Sequence, residues 1–445
     1  MGSTALPLAP QASAEERVGW SLGLRVAFRF LCCYWILCAL PTRGRVSIFD
    51  PIPGATVALR PVYQDVWRAI CPWIAIHIFH LSGKATTYVP TGSADTTLAY
   101  IQNLCYLALA GIVTIVWSVV DRKRTNYTAL HDWLRVLVRY TLAVAMFTYG
   151  IGKILPLQFG SIGIGTLIEP YGQFSPMGVL WNFMGMSRTY TVFSGIIEMT
   201  GCVLLVFRRT TVLGAMVSAA ALLNVVLLNF SYDISVKLAS LNYLLMAIFL
   251  LSPEARRLTN VLLLNRATAP AVFRPLWPAR QWSVWATATC QALFIFALFF
   301  EVRGYWTRRE IRKPNGPLYG VYDVEKFVES GGERPALATE SHQWAMVAIE
   351  DVADAPRGSV TIRSTDDSVL HCQSTLSAAT ARLMCSETFA GDATPTRFVF
   401  TYSRPNPELL VLQNDQFTIT LRRVNASYTL LTRGFHWIQE QSFYR

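Results

Sequence analysis

VAMFTYGIGKILPLQF (residues 144–159) and FSGIIEMTGCVLLVF (residues 193–207) are apolar runs of membrane-helix character, and each carries one ionisable residue. Lys153 stands in the first and Glu198 in the second. A charge at bilayer depth is expensive, so it faces a cavity or a partner and marks function by default. A third run, VVLLNFSY (225–232), leads directly to Asp233 and Lys237. All these charges fall in one block, 133–251, and the activity is expected there.

Working outward, the 445-residue chain is 52% hydrophobic and only 15% charged, which excludes an ordinary soluble enzyme. Apolar stretches recur at about 20 residues, the thickness of the hydrocarbon core. Eight spans are predicted, at about 22–40, 64–82, 98–118, 133–155, 190–207, 211–230, 235–251 and 283–301. The stretch MGVLWNFMGMS (177–187) is too short to cross and reads as a surface helix or a re-entrant piece. The N-terminus holds Glu15, Glu16 and Arg17, and no clean cleavage pattern follows its apolar run. It reads as a retained first span rather than a signal peptide. This divides the chain into three spans in 1–132, a four-helix core in 133–251, a basic loop and last span in 252–302, and a soluble region in 303–445.

The net charge is +11. In a membrane protein Arg and Lys gather in cytoplasmic loops and near headgroups, so nucleic acid is not an expected partner. The loops after spans one, three, five and seven carry Arg43, Arg45 and Arg60; Arg122, Lys123 and Arg124; Arg208 and Arg209; and Arg256, Arg257, Arg266, Arg274 and Arg280. The alternate loops hold little beyond Lys84 and Arg188. With the basic loops inside, both termini lie outside, and the C-terminal domain is periplasmic in a bacterial inner membrane. Arg17, Arg25, Arg29, Arg303, Arg308, Arg309, Arg312 and Lys313 oppose that orientation. One crossing more or fewer would reverse the tail.

Beyond residue 303 the pattern changes. A helix-like segment, YDVEKFVES (322–330), precedes SVTIRS (359–364), RFVFTYS (397–403), ELLVLQ (408–413) and QFTITLRRV (416–424), which alternate or cluster β-formers between turn residues. The expectation is a small antiparallel sheet domain closed by FHWIQEQSF (435–443), with Trp344 and Trp437 in its core. Cys372 and Cys385 lie in this polar region and form either one disulfide, which would place it outside the cytosol, or two thiols. Cys32, Cys33, Cys38, Cys71, Cys105, Cys202 and Cys290 lie in or beside spans and read as packing residues. No cysteine set has zinc spacing, and no metal is expected. The triplet Asn425-Ala426-Ser427 matters only in a cell that glycosylates.

Lys153 follows Tyr149, Gly150 and Gly152, and the glycines allow close helix approach. The lysine either snorkels to the interface or pairs with a carboxylate or an anionic headgroup. Glu198 is too short and too central to snorkel. It makes a helix–helix hydrogen bond, or it handles a proton or a substrate. Asn224 and Asn229 end the sixth span. Asn229, Asp233 and Lys237 are spaced i, i+4, i+8 and share a face if the helix continues. Their ion pair either stitches spans six and seven together or lines a polar pocket at the mouth of a four-helix bundle. The loop 156–189 is rich in glycine and aromatic residues and holds Glu169 and Asn182. Loops this long often cover a site. Its GSIGIG (160–165) lacks the setting of a dinucleotide fingerprint. Trp181 and Tyr190 line the site or anchor the interface. His77 and His80 stand one turn apart as a haem or metal candidate, with no third ligand close in sequence.

At FTYGIGKILPLQF, at the glutamate of FSGIIEMTGCVLLVFRRTT and at the small-residue helix after it, the chain resembles the DoxX-like family of small four-helix membrane proteins. The resemblance covers 133–251. SPMGVLWNFMG, LNFSYDISVKL and the closing RGFHWIQEQSFYR are similar to the larger bacterial members with flanking spans. One branch of that family looks like the membrane subunit of a thiosulfate:quinone oxidoreductase. The resemblance implies a possible quinone or lipid ligand between the spans, with Lys153 and Glu198 at its polar end, and a partner redox subunit.

The leading expectation is an integral membrane subunit or binding protein. Its ligand-binding residues are Tyr149, Lys153, Trp181, Glu198, Asn224, Asn229, Asp233 and Lys237. The alternatives are a membrane oxidoreductase component acting on quinone, with Glu198 or Asp233 as base and Lys153 as anion stabiliser, and a proton-coupled transporter using Glu198.

Overall fold

The computed structural model describes residues 19–42, 44–88, 92–270, 280–310, 316–329, 332–334, 343–350, 358–377, 382–386, 397–425 and 427–443. Glu15, Glu16, Arg17, Arg43, Arg274, Arg312, Lys313 and Ala426 of the sequon lie outside them. The helices are α1 (Leu22–Ala39), α2 (Ala55–His77), α3 (Thr97–Val120), α4 (Thr128–Ile154), α5 (Ile164–Ile168), α6 (Pro176–Met186), α7 (Arg188–Val206), α8 (Thr211–Ser231), α9 (Lys237–Leu251), α10 (Ala255–Leu262) and α11 (Arg280–Glu310).

Among the described residues, seven segments are long and apolar enough to cross a membrane: α1, α3, α4, α7, α8, α9 with α10, and α11. Their outer faces leave large apolar side chains exposed, among them Leu104, Ile112, Ile115, Val116 and Val119 on α3. Water does not tolerate so much apolar surface, but lipid does. The helical part is built as a multi-pass membrane protein.

The second predicted span is corrected. α2 carries Arg60, Asp65 and Arg68 and has Pro61 and Pro72 inside it. It packs on the first turns of α3, with Trp67 and Tyr106 ring centroids 5.0 Å apart and the Tyr63 hydroxyl 3.0 Å from that of Tyr106. Gly44 and Ala94, which flank this excursion, touch. The segment therefore leaves and re-enters at the same end of the bundle, and among the described residues seven segments are long and apolar enough to cross rather than the eight expected.

The helix ends sort into two groups. At one end Trp20 N donates to Thr125 O (2.9 Å), Arg25 Nη1 to Arg124 O (2.9 Å) and Gln291 Nε2 to Val206 O (3.1 Å). The basic turns 121–127 and 207–210 lie at this end, with the turn 252–254 that leads into the arginines of α10. At the other end Arg45 Nη2 donates to Asn103 Oδ1 (2.8 Å) and Asp95 caps α9 by accepting from Lys237 N (2.6 Å). Arg29, on the leading turns of the first span and counted against the predicted orientation, is buried. Its Nε and Nη2 donate to the Tyr127 hydroxyl (3.0 and 2.7 Å) and its Nη1 to Ser118 Oγ (2.7 Å). It clamps α1 to the α3–α4 turn.

The C-terminal region is a closed barrel. β1 (Gly320–Glu329), β2 (Gly332–Arg334), β3 (Trp344–Glu350), β4 (Gly358–Ser364), β5 (Val369–Ser377), β6 (Arg382–Ser386), β7 (Arg397–Asn406), β8 (Leu409–Gln413) and β9 (Phe417–Arg423) follow one another antiparallel. β9 pairs with β1 and closes eight of the strands, while β2 extends the far end of β1 as a short arm. Closure removes the sheet edges, and Tyr322, Val347, Ile362, Phe400, Leu412 and Leu421 fill the interior.

Two expectations for this region are corrected, and one open alternative is decided. YDVEKFVE (322–329) lies in strand β1, not in a helix, and Ser330 lies outside the described residues. A bulge between Val324 and Lys326 breaks its alternation, so Tyr322, Val324 and Phe327 all pack on the barrel core and the spacing mimics a helical period. Trp344 packs against Phe327 and Phe400, but Trp437 is 91% exposed. The β1–β9 pairing has already closed the barrel, so the last segment has no open edge to cover. No disulfide joins Cys372 and Cys385. The register sets Ser374 opposite Cys385, which makes the two thiols diagonal neighbours on the inner face. Diagonal neighbours stand roughly 7–8 Å apart in a sheet, beyond the ~4.4–6.8 Å between Cα atoms that a disulfide spans.

The barrel rests on the connection between α4 and α7. Ile164 and Ile168 of α5 pack on Val321, Met346 and Ala348 of its outer face. Glu350 Oε1 accepts a hydrogen bond from Gly165 N at 2.9 Å. The same connection supplies α6, which turns back over the membrane helices.

Candidate functional site

α4 is the hub of the helical part, buried on all sides from Thr141 to Phe147. It runs antiparallel to α7, and the two cross at a pair of glycines. A Cβ on Gly150 would lie 2.9 Å from Gly195 O, and one on Gly195 would lie 2.7 Å from Gly150 O. No larger residue permits that approach. Each charged residue stands three positions after its own glycine and packs on the glycine of the other helix: Lys153 Cβ over Gly195, Glu198 Cβ over Gly150. The crossing thus brings the two charges face to face. Lys153 Nζ donates to Glu198 Oε1 at 2.5 Å, and the residues are 7% and 4% exposed.

The pair is enclosed but not fully satisfied. Glu198 Oε2 is buried and has no hydrogen-bond partner among the described residues. An ammonium carries three donors, and Glu198 takes one of them. Buried carboxylate oxygens are rarely left without a partner. Both side chains line a cavity of about 170 Å³ between α4, α7, α8 and α9. Its walls are mostly apolar, with Met146, Leu180, Met184, Ile197 and Leu222 among them. Gln158, Ser194, Asn229 and Tyr243 add polar groups. Asn229 Nδ2 donates to Ser240 Oγ at 2.9 Å, which ties α8 to α9 across the floor.

The cavity has a lid and a lateral mouth. Leu180, Trp181 and Met184 of α6 close it from the barrel end, with Trp181 edge-on to Phe159 at 5.1 Å. Ser175 caps α6 by accepting from Gly178 N, with Pro176 at its first position. At the opposite end of α7 and α8 the helices touch, since a Cβ on Gly214 would lie 2.8 Å from Leu205 N. Towards the lid they diverge, and Tyr190, Phe193 and Asn224 stand exposed at the opening. Tyr149 and Val236 also line a separate hollow of about 520 Å³ near Arg45 and Gln102.

Of the residues singled out from sequence, Tyr149, Lys153, Trp181, Glu198, Asn224 and Asn229 line the one cavity. Asp233 and Lys237 do not. α8 stops at Ser231, and Asp233 adopts φ +51°, which turns the chain away from the shared helical face. The Asp233 carboxylate is 82% exposed and accepts from Lys237 Nζ at 2.6 Å. That pair staples α8 to α9 outside the cavity. Gln158, Ser194, Ser240 and Tyr243 went unnoticed in the sequence. Nothing in their spacing distinguishes them from core residues. Among the described residues no group of three or more His, Cys, Asp or Glu is placed to hold a metal. His77 is exposed, stacks on Trp73 at 4.9 Å and its Nδ1 lies 2.9 Å from Trp73 O.

A 123-residue stretch of the chain is 32% identical to "Uncharacterized protein YwoB" of Bacillus subtilis (strain 168). The match covers 78% of YwoB and 28% of this chain. The chain belongs to the family of YwoB. Because about a quarter of this chain spans most of YwoB, YwoB is too short to hold counterparts of both the helical part and the barrel. No family profile and no solved structure matches the chain.

Proposed function

We propose that this chain is an integral membrane protein that binds a small hydrophobic ligand with a hydrogen-bonding head, a quinone or a lipid, in the cavity at Lys153 and Glu198. The unpartnered Glu198 Oε2 at the polar end of an apolar, laterally open cavity carries this reading. A ligand hydroxyl would donate to Oε2, and a ligand carbonyl would accept from Lys153. The volume is below the ~300–1,000 Å³ of drug-sized sites. It holds a head, and the tail leaves into lipid past Tyr190 and Phe193. The DoxX-like resemblance supports the same reading, with α4, α7, α8 and α9 as its four-helix core.

Trp181 lines the cavity, so its fluorescence reports occupancy. A short-chain ubiquinone analogue quenches the purified protein, and the natural ligand is recovered from it by mass spectrometry. Glu198→Gln, whose amide oxygen still accepts from Lys153, weakens quenching per folded molecule about tenfold or more, the worth of one charged hydrogen bond. Equal loss of folding and of quenching would show the glutamate to be structural.

A second reading makes the chain a quinone-dependent oxidoreductase component. In that reading Glu198 Oε2 would accept one proton of the quinol, the second would leave to water, and both electrons would pass to a partner redox subunit.

The basic end is assigned to the cytoplasm, which puts the barrel in the periplasm of a bacterial inner membrane. The connection 155–187 at the barrel end contains no Lys or Arg. Of the cations at that end, Arg45 is engaged with Asn103, Arg60 with Asp50 and Arg68 with Asp65, while Arg188 and Arg303 count against this orientation. A C-terminal alkaline phosphatase fusion is active and an N-terminal green fluorescent protein fusion glows; the reverse pattern would invert the orientation.

A further inference from the structure

We propose that the basic end of the bundle holds a second site, which takes the phosphate head of an acidic phospholipid. A cleft of about 760 Å³ opens there between α4, the α7–α8 turn, the start of α8, and α10. Five arginines line it, Arg135, Arg139, Arg208, Arg209 and Arg257, against two carboxylates, Asp132 and Glu254. Glu254 is already engaged with Arg257 at 3.3 Å. The remaining wall is apolar, with Val136, Leu213, Met216, Leu258 and Val261.

Arg139 is the decisive residue. It is only 6% exposed, and its Nε has no hydrogen-bond partner. Its Nη1 reaches Thr211 Oγ1 at 3.4 Å and the guanidinium stacks over the Tyr140 ring at 4.7 Å. Neither contact supplies a negative charge. A guanidinium about three turns into α4, level with Thr211 at the start of α8 and lining an arginine-rich cleft, is suited to a forked bond to a phosphate. The apolar wall distinguishes a lipid phosphate from a free one, because inorganic phosphate gains nothing from Leu213, Met216 and Val261. The cleft also lies at the level where anionic headgroups sit beside juxtamembrane basic residues.

The test is native mass spectrometry of the full chain, delipidated in detergent and titrated with phosphatidylglycerol, phosphatidylcholine or inorganic phosphate. Phosphatidylglycerol is retained about tenfold more tightly than phosphatidylcholine, and Arg139→Gln or Arg209→Gln removes about that factor. Arg122→Gln, at the same end but outside the cleft, leaves retention unchanged. If Arg139→Gln does not fold, the exposed Arg209 decides. Equal retention of the two lipids, or indifference to both arginine substitutions, overturns the site. Displacement of phosphatidylglycerol by inorganic phosphate overturns the lipid assignment, since it would mark a soluble-anion site.

Discussion

Glu198→Ala lowers the stability of the detergent-solubilised protein by about 3–5 kcal/mol, the cost of stranding a buried charge. Lys153 is 7% exposed and pairs with Glu198 at 2.5 Å. Removing the carboxylate leaves an ammonium among apolar side chains, with water reaching it only through the narrow cavity. The double replacement Lys153→Met with Glu198→Leu recovers most of the loss. Buried ion pairs replaced by apolar residues of similar volume are often neutral or better. The recovered protein no longer quenches with the quinone analogue, because the polar end of the cavity is gone. Thermal unfolding and quenching on the same samples separate the two effects. A single variant as stable as the parent would mean the pair is solvated. A double variant that still binds would move the ligand elsewhere.

Gly195→Val gives the second large effect. Its Cβ would lie 2.7 Å from Gly150 O, 2.9 Å from Lys153 Cβ and 3.0 Å from Ile154 Cγ1. The nearest of these is backbone, which cannot swing aside, so α4 and α7 must separate. Overpacking of this kind costs about 1–3 kcal/mol in a core, and two further methyl groups put this variant at the upper end. The separation also breaks the Lys153–Glu198 pair, so folded yield and ligand binding fall together. Gly152→Ala is the matched control. Its Cβ meets nothing nearer than Gln158 Cβ at 3.9 Å, and alanine favours the helix over glycine by about 1 kcal/mol. That variant is expected to unfold at or above the parent temperature. Equal tolerance at both positions would show that the helices do not touch where the glycines meet.

Both outcomes depend on one crossing, whose parts were readable in advance. Hydropathy and length marked α4 and α7, and the cost of intramembrane charge marked Lys153 and Glu198 as partners of something. The reading of Asp233 and Lys237 assumed that α8 continues. The left-handed turn at Asp233 follows from how α8 joins α9, and the helical periodicity of the sequence carries no sign of it. α2 misled for a related reason. Its hydropathy resembles a span, but its charges sit where the chain folds back on α3.

By itself the sequence determined the apolar lengths, the change to alternating β-formers beyond residue 303 and the identity of the buried charges. These are properties of neighbours along the chain, and periodicity reports them directly. Only the tertiary structure decided that Lys153 meets Glu198, that α6 covers the cavity, that five arginines share a cleft and that β9 closes on β1. Each of these joins residues far apart in sequence, and close packing between helices or strands, not local preference, selects which of them touch.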